Sequence, residues 1–131
     1  MILRSAYYSD FKGGPKVVFW GDSKAIEQLA NLLRASAIGT GPLALGSFCE
    51  AVDGRAIIIQ TAVSQCGMQP YGSGFEWNLN AQTMADFAER LDILAESNRP
   101  GHQYLECGVT GEIAVMASCG EYPADLKPCA K

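Results

Sequence analysis

The sequence predicts a two-layer α+β domain, a mainly antiparallel sheet carrying two helices on one face. Two segments place apolar residues at helical spacing, Ile26 to Ala37 and Met84 to Ala95. Short β-branched and aromatic runs lie before, between and after them. The chain has 131 residues, 48% of them apolar and 18% charged, which suits one core and excludes a disordered chain.

The elements follow in order. Lys16 to Trp20 reads as a strand, being β-branched and aromatic. Asp22 can cap the helix that follows, because its carboxylate accepts from free first-turn amides. Ile26, Leu29, Ala30, Leu33 and Ala37 form the buried stripe, and the helix ends near Gly39. Leu43 to Val52 and Arg55 to Val63 are expected to pair around Asp53-Gly54, a tight-turn dipeptide. The second of these strands is apolar on both faces and should be central. Ser64 to Glu76 holds three Gly and one Pro and reads as a long loop with a functional purpose, before a short strand at Trp77 to Leu79. Asn80 caps a second helix with Met84, Phe87, Ala88, Leu91, Leu94 and Ala95 inward, ending at Asn98 to Gly101. Strands at His102 to Cys107 and Glu112 to Ser118 close the domain. From about Cys119 the tail is expected to be irregular. The order β-α-β-β-α-β-β admits a ferredoxin-like variant among other antiparallel arrangements. The residues themselves show no internal repeat and no linker, so residues 1–131 form a single domain.

Charge and cysteines narrow the function. Ten basic against fourteen acidic residues give a net charge of −4 and a pI near 4.9. An acidic domain repels phosphate, so nucleic acid is not the expected partner. No membrane span or leader segment is expected, which places the protein in the cytoplasm. The five cysteines (Cys49, Cys66, Cys107, Cys119 and Cys129) are odd in number and form no C-x-x-C pair. Free, mostly buried thiols are expected, with no metal site. Phosphate loops, nucleophile elbows and zinc-protease motifs are absent, and no catalytic residue or cofactor is assigned.

The chemistry-bearing candidates cluster late in the chain. Side chains alternate along a strand, so His102, Tyr104 and Glu106 should share one face while Leu105 and Cys107 face the core. An imidazole, a phenol and a carboxylate in a row can bind a ligand or move a proton, and are equally an ordinary polar outer face. Trp20 and Trp77 sit at strand–helix junctions, where a tryptophan serves either recognition or core. Glu121 and Tyr122, in the run Cys119 to Pro123, can return toward the sheet.

Three short runs carry a family resemblance: Phe19-Trp20-Gly21-Asp22, Gly101 to Glu106, and Gly120-Glu121-Tyr122-Pro123. From about Val17 to Pro123 the chain resembles small standalone bacterial α+β proteins, including immunity proteins of polymorphic toxin systems and proteins of mobile gene cassettes. The resemblance implies a binding protein whose partner is a toxin domain. It carries over no catalytic residues. The expected function is therefore a cytoplasmic protein-binding module with a basic partner. Its contact surface would comprise His102, Tyr104, Glu106, Trp77, Trp20, Glu121 and Tyr122. A small-ligand binder or enzyme using His102 as acid/base is the alternative, and a homodimeric structural protein is a third.

Overall fold

The computed structural model describes residues 2–39, 41–61, 66–97, 99–123 and 126. Its elements are β1 (Leu3–Phe11), β2 (Gly14–Gly21), α1 (Ser23–Ile38), β3 (Leu43–Ala44), a 3-10 turn (Leu45–Ser47), β4 (Cys49–Ala51), β5 (Ile57–Thr61), β6 (Gly67–Tyr71), β7 (Gly74–Leu79), α2 (Ala81–Glu96), β8 (Gly101–Tyr104) and β9 (Ala114–Cys119). The fold is α+β, and both helices begin where the caps place them. Asp22 accepts from the Ala25 amide at 3.0 Å and Asn80 from the Thr83 amide at 2.8 Å.

The strands form two mixed sheets. Sheet A has five strands in the order β4-β1-β2-β9-β8, and sheet B has four in the order β3-β5-β7-β6. Hairpin neighbours run antiparallel, whereas β1–β4, β2–β9 and β5–β7 run parallel. The sheets touch where Met68 of β6 bridges Ile113, whose amide donates to the Met68 carbonyl at 2.9 Å.

The structure contains a repeat that the residues do not display. A shift of 58 residues carries α1 onto α2, β2 onto 72–79 and β5 onto 115–119. It also carries the Val17–Val115 pairing of β2 with β9 onto the Phe75–Ile57 pairing of β7 with β5. Each half is hairpin, helix, hairpin. The second hairpin of each half completes the sheet of the other. Phe19 and Trp77, equivalent under the shift, stack on one another with ring centroids 5.4 Å apart. Phe87 extends the stack at 6.1 Å from Trp77.

One apolar cluster joins both helices to the inward faces of both sheets, with Val17, Phe19, Ile59, Trp77, Met84, Phe87, Leu91 and Val115 all buried. Burial at this density is what drives the two helical stripes inward. A second, smaller cluster (Ala6, Tyr8, Val18, Trp20 and Met116) lies on the outer face of sheet A.

Three expectations change. Leu43 to Val52 and Arg55 to Val63 do not form a hairpin around Asp53-Gly54. β3 pairs with β5 in sheet B, but β4 crosses to β1 in sheet A. Gly54 does take a positive φ of 74°, yet the Asp53 carboxylate ties the turn to the Tyr7 amide at 2.7 Å and the Arg55 amide at 3.0 Å. The Gly-rich stretch from Ser64 to Glu76 is not a loop. Residues 64 and 65 lie outside the described residues, and most of the remainder builds the β6–β7 hairpin. Its alternation is genuine, with Phe75, Trp77 and Leu79 inward and Glu76 and Asn78 outward, but glycine and Pro70 mask it. An edge strand tolerates a proline, because half of its backbone groups need no ladder partner. Finally, β1 precedes β2, a strand the opening residues did not suggest.

Gly74 enters sheet B under tight constraint. A Cβ there would lie 2.1 Å from the Ala56 carbonyl oxygen, the acceptor of the Phe75 amide at 2.8 Å. Gly14, which likewise follows the turn of the first hairpin, has nothing within 4 Å of such a Cβ. Gly74→Ala should therefore cost about 2 kcal/mol or more, since the clash is with backbone that cannot rotate away. Gly14→Ala should shift stability by less than about 1 kcal/mol. Urea unfolding of the two variants checks the difference, and equal losses would contradict this account of the β5–β7 junction.

Candidate functional site at the edge of sheet A

The pairing register places His102 at the end of a row of neighbours that crosses all five strands: Glu50, Arg4, Trp20, Ser118, His102. The adjacent row is Ala6, Val18, Met116 and Tyr104. Both rows lie on the outer face of sheet A. His102 and Tyr104 thus share a face, as their alternation requires, and meet edge to face at 5.6 Å between centroids. On the opposite side Leu105 is buried, and its amide donates to the Val115 carbonyl at 2.9 Å. β8 stops at Tyr104, so Glu106 lies beyond the strand and is exposed. The strand ends early because Glu112 gathers the next loop. Its carboxylate accepts from the amides of Cys107, Gly108 and Val109 at 3.2, 2.6 and 3.0 Å.

With the helices on one face of the sheet the other would be open, yet its centre is covered. After β9, Gly120 turns the chain with a φ of 72° and lays 121–123 and 126 across sheet A. The Trp20 indole donates to the Pro123 carbonyl at 2.9 Å, and Tyr122 meets Phe11 at 5.8 Å. Trp20 is consequently buried beneath this segment. Trp77 is buried in the central stack, where its large ring fills the junction between the sheets and helices, so it offers no contact surface. Tyr122 is half-buried, and Lys12 stands 6.0 Å above its ring. The outer side of sheet B is partly exposed instead. There Glu76 accepts from Gln60 at 2.8 Å and from Asn78 at 3.1 Å.

The covering segment returns Glu121 to the sheet edge. Both carboxylate oxygens lie 3.1 Å from His102 Nδ1, and the Ser118 hydroxyl donates to Oε1 at 2.5 Å. Ser118 was not among the sequence candidates. It is the cross-strand neighbour of His102, and only the register shows this. Burial alone would raise the Glu121 pKa. The hydrogen bonds from Ser118 and His102, with the charges of His102 and Lys12, outweigh it and hold the carboxyl below the usual carboxylate value. An ionised carboxylate only accepts, so Nδ1 carries the proton that joins the ring to Glu121.

The order of the three groups limits their chemistry. The carboxylate stands between hydroxyl and imidazole, so the Ser118 proton points at Glu121 and away from a base that could activate the oxygen. Ser118 is also fully buried. The clefts of about 530 Å³ between Tyr7, Arg55 and Phe75, and about 570 Å³ between Ile2, Gln28 and Phe48, are not walled by His102. Among the described residues no group of three or more His, Cys, Asp or Glu side chains is placed to hold a metal ion. Cys129 lies outside the described residues. Among the described residues no helix is long and apolar enough to cross a membrane.

Comparison with protein-family models, with curated proteins and with solved structures gives no match.

Glu121 is charged in the fold at a pH where a free carboxyl would begin to protonate. Its contribution to stability is therefore complete above the ordinary carboxylate pKa of about 4.3 and is lost as pH falls through the lower folded value. Carbon-detected NMR titration should place the Glu121 midpoint below that of an exposed glutamate, and Ser118→Ala should raise it. The stability gap between the wild type and Glu121→Gln should close as the solution is acidified. A midpoint at or above the ordinary value would refute the hydrogen-bonded assignment.

Proposed function

We propose that this is a small cytoplasmic binding module that engages a basic protein partner through the edge of sheet A around β8. The observation that carries this reading is the state of His102 and Glu121. They are fixed by hydrogen bonds yet keep about a third and a quarter of their side-chain surface exposed, beside exposed Tyr104. Groups ordered before contact lose little freedom on binding, and an aromatic flank supplies contact area at small entropic cost. Acid–base chemistry on a small substrate calls for a cavity around the imidazole, which favours contact over catalysis here. The net charge of −4 adds steering toward a basic partner, and exposed Glu106 contributes to it beside the site. The resemblance to immunity proteins makes the partner a toxin domain that binding holds inactive.

Two substitutions test the surface without touching the core. Tyr104→Ala removes the aromatic flank, and Glu106→Lys reverses an exposed charge. Capture from a lysate of the native host should return a basic protein. The double variant should bind it at least tenfold more weakly, in keeping with the loss of about 2 kcal/mol at an aromatic contact residue. An acidic partner, or capture undiminished in the double variant, would overturn the proposal. Self-association at micromolar concentration with no captured protein would favour the homodimer instead.

A further inference from the structure

The seam between the sheets brings two cysteines together from distant parts of the chain. Cys66 immediately precedes β6, and Cys107 lies in the loop between β8 and β9. The backbone brings these segments close. Met68 bridges Ile113, and Gly67 packs so closely on Glu112 that a Cβ there would stand 2.7 Å from the Glu112 Cβ. Glu112 in turn holds the Cys107 amide at 3.2 Å. Cys66 is among the groups that act on the Cys107 thiol across this junction. Asn80 Nδ2 reaches the Cys66 sulfur at 3.7 Å. Both thiols are free and only half-buried, whereas Cys49 and Cys119 are buried elsewhere.

We propose that Cys66 and Cys107 form a reversible disulfide that staples sheet B to the β8–β9 loop of sheet A, with a low-molecular-weight disulfide as the oxidant. Cys66, the sulfur that the Asn80 amide reaches, attacks one sulfur of the oxidant as its thiolate. That bond forms as the oxidant's S–S bond breaks, and the departing thiolate takes up a proton to leave as the first thiol. Cys107 then gives up its proton and attacks Cys66, breaking the mixed disulfide and releasing the second thiol. The two cysteines are oxidised and the oxidant disulfide is reduced to two thiols, so electrons and protons balance. The second step is the slower one, because burial foremost, then the Glu112 charge and Cys66, push the Cys107 thiol up to about 12 and keep it protonated.

The full chain should be incubated with oxidised glutathione, blocked with an alkylating reagent and digested without reduction. The expected result is a peptide pair linked through Cys66 and Cys107, in a monomer whose mass has fallen by two hydrogens. Thermal denaturation should show a raised Tm that dithiothreitol reverses, because the link shortens the unfolded chain. In Cys107→Ser the glutathione should remain on Cys66 and no internal link should form. Circular dichroism of that variant guards against a trivial loss of fold, and the wild-type peptide map stands independently of it. A link involving Cys49, Cys119 or Cys129, a wild type that stops at glutathionylated Cys66, or thiols that stay reduced would each overturn the proposal.

Discussion

The stack of Phe19 on Trp77 marks the point on which the fold turns. Each ring comes from the inner strand of one hairpin, and each of those strands is completed in parallel by a strand from the opposite half, β9 beside β2 and β5 beside β7. Neither half can close its own sheet. Parallel neighbours need a crossover: the chain from α1 to β8 separates β2 from β9, whereas β6 alone carries it from β5 back to β7. The helices then seal the common side of both sheets, with Arg34 of α1 paired to Asp92 of α2 at the surface of their contact. Burial of the central rings and exchange of the strands are thus one event, and the rest of the molecule is arranged around it.

Much of this was legible in the sequence. Helix caps at Asp22 and Asn80 announce themselves because one side chain satisfies a local amide, and the 3.6-residue stripes have no competing explanation. Strands were harder to read. β7 carries a regular alternation, but Gly67, Pro70, Gly72 and Gly74 suggest a loop to any reading based on propensity. The Asp53-Gly54 turn was placed correctly and its consequence was not, because a positive φ does not say which strand the chain meets next. The repeat was hidden for a related reason. What recurs at a shift of 58 residues is pairing and apolar character, with Val17 answering to Phe75 and Phe19 to Trp77, and little residue identity.

The candidate site shows the same division. Alternation put His102 and Tyr104 on one face and Leu105 on the other. The Ser118 contact needed strand register, and burial of Trp77 needed the two-sheet arrangement, neither of which is local. The two outer faces also differ in kind. Val18, Trp20 and Met116 make the face of sheet A apolar, and it takes the segment after β9 as its cover. The equivalent positions on sheet B are Glu76, Asn78 and Ile58, of which the first two suit water. Glu121 reaches His102 only because that cover exists, so the polar cluster depends on an apolar patch in the neighbouring row.

The exchange of strands also sets a timetable for synthesis. β2 leaves the ribosome early, and its residues Lys16 to Gly21 are all buried in the finished fold. Its parallel neighbour β9 emerges only after everything from α1 to β8 has been made. During that interval an apolar strand waits with one edge unpaired, the condition under which nascent chains associate with one another. The second half has no such delay, since β5 is already made when β7 appears. The nascent chain can therefore assemble sheet B first and must hold β2 apart from other chains until its own β8–β9 hairpin arrives.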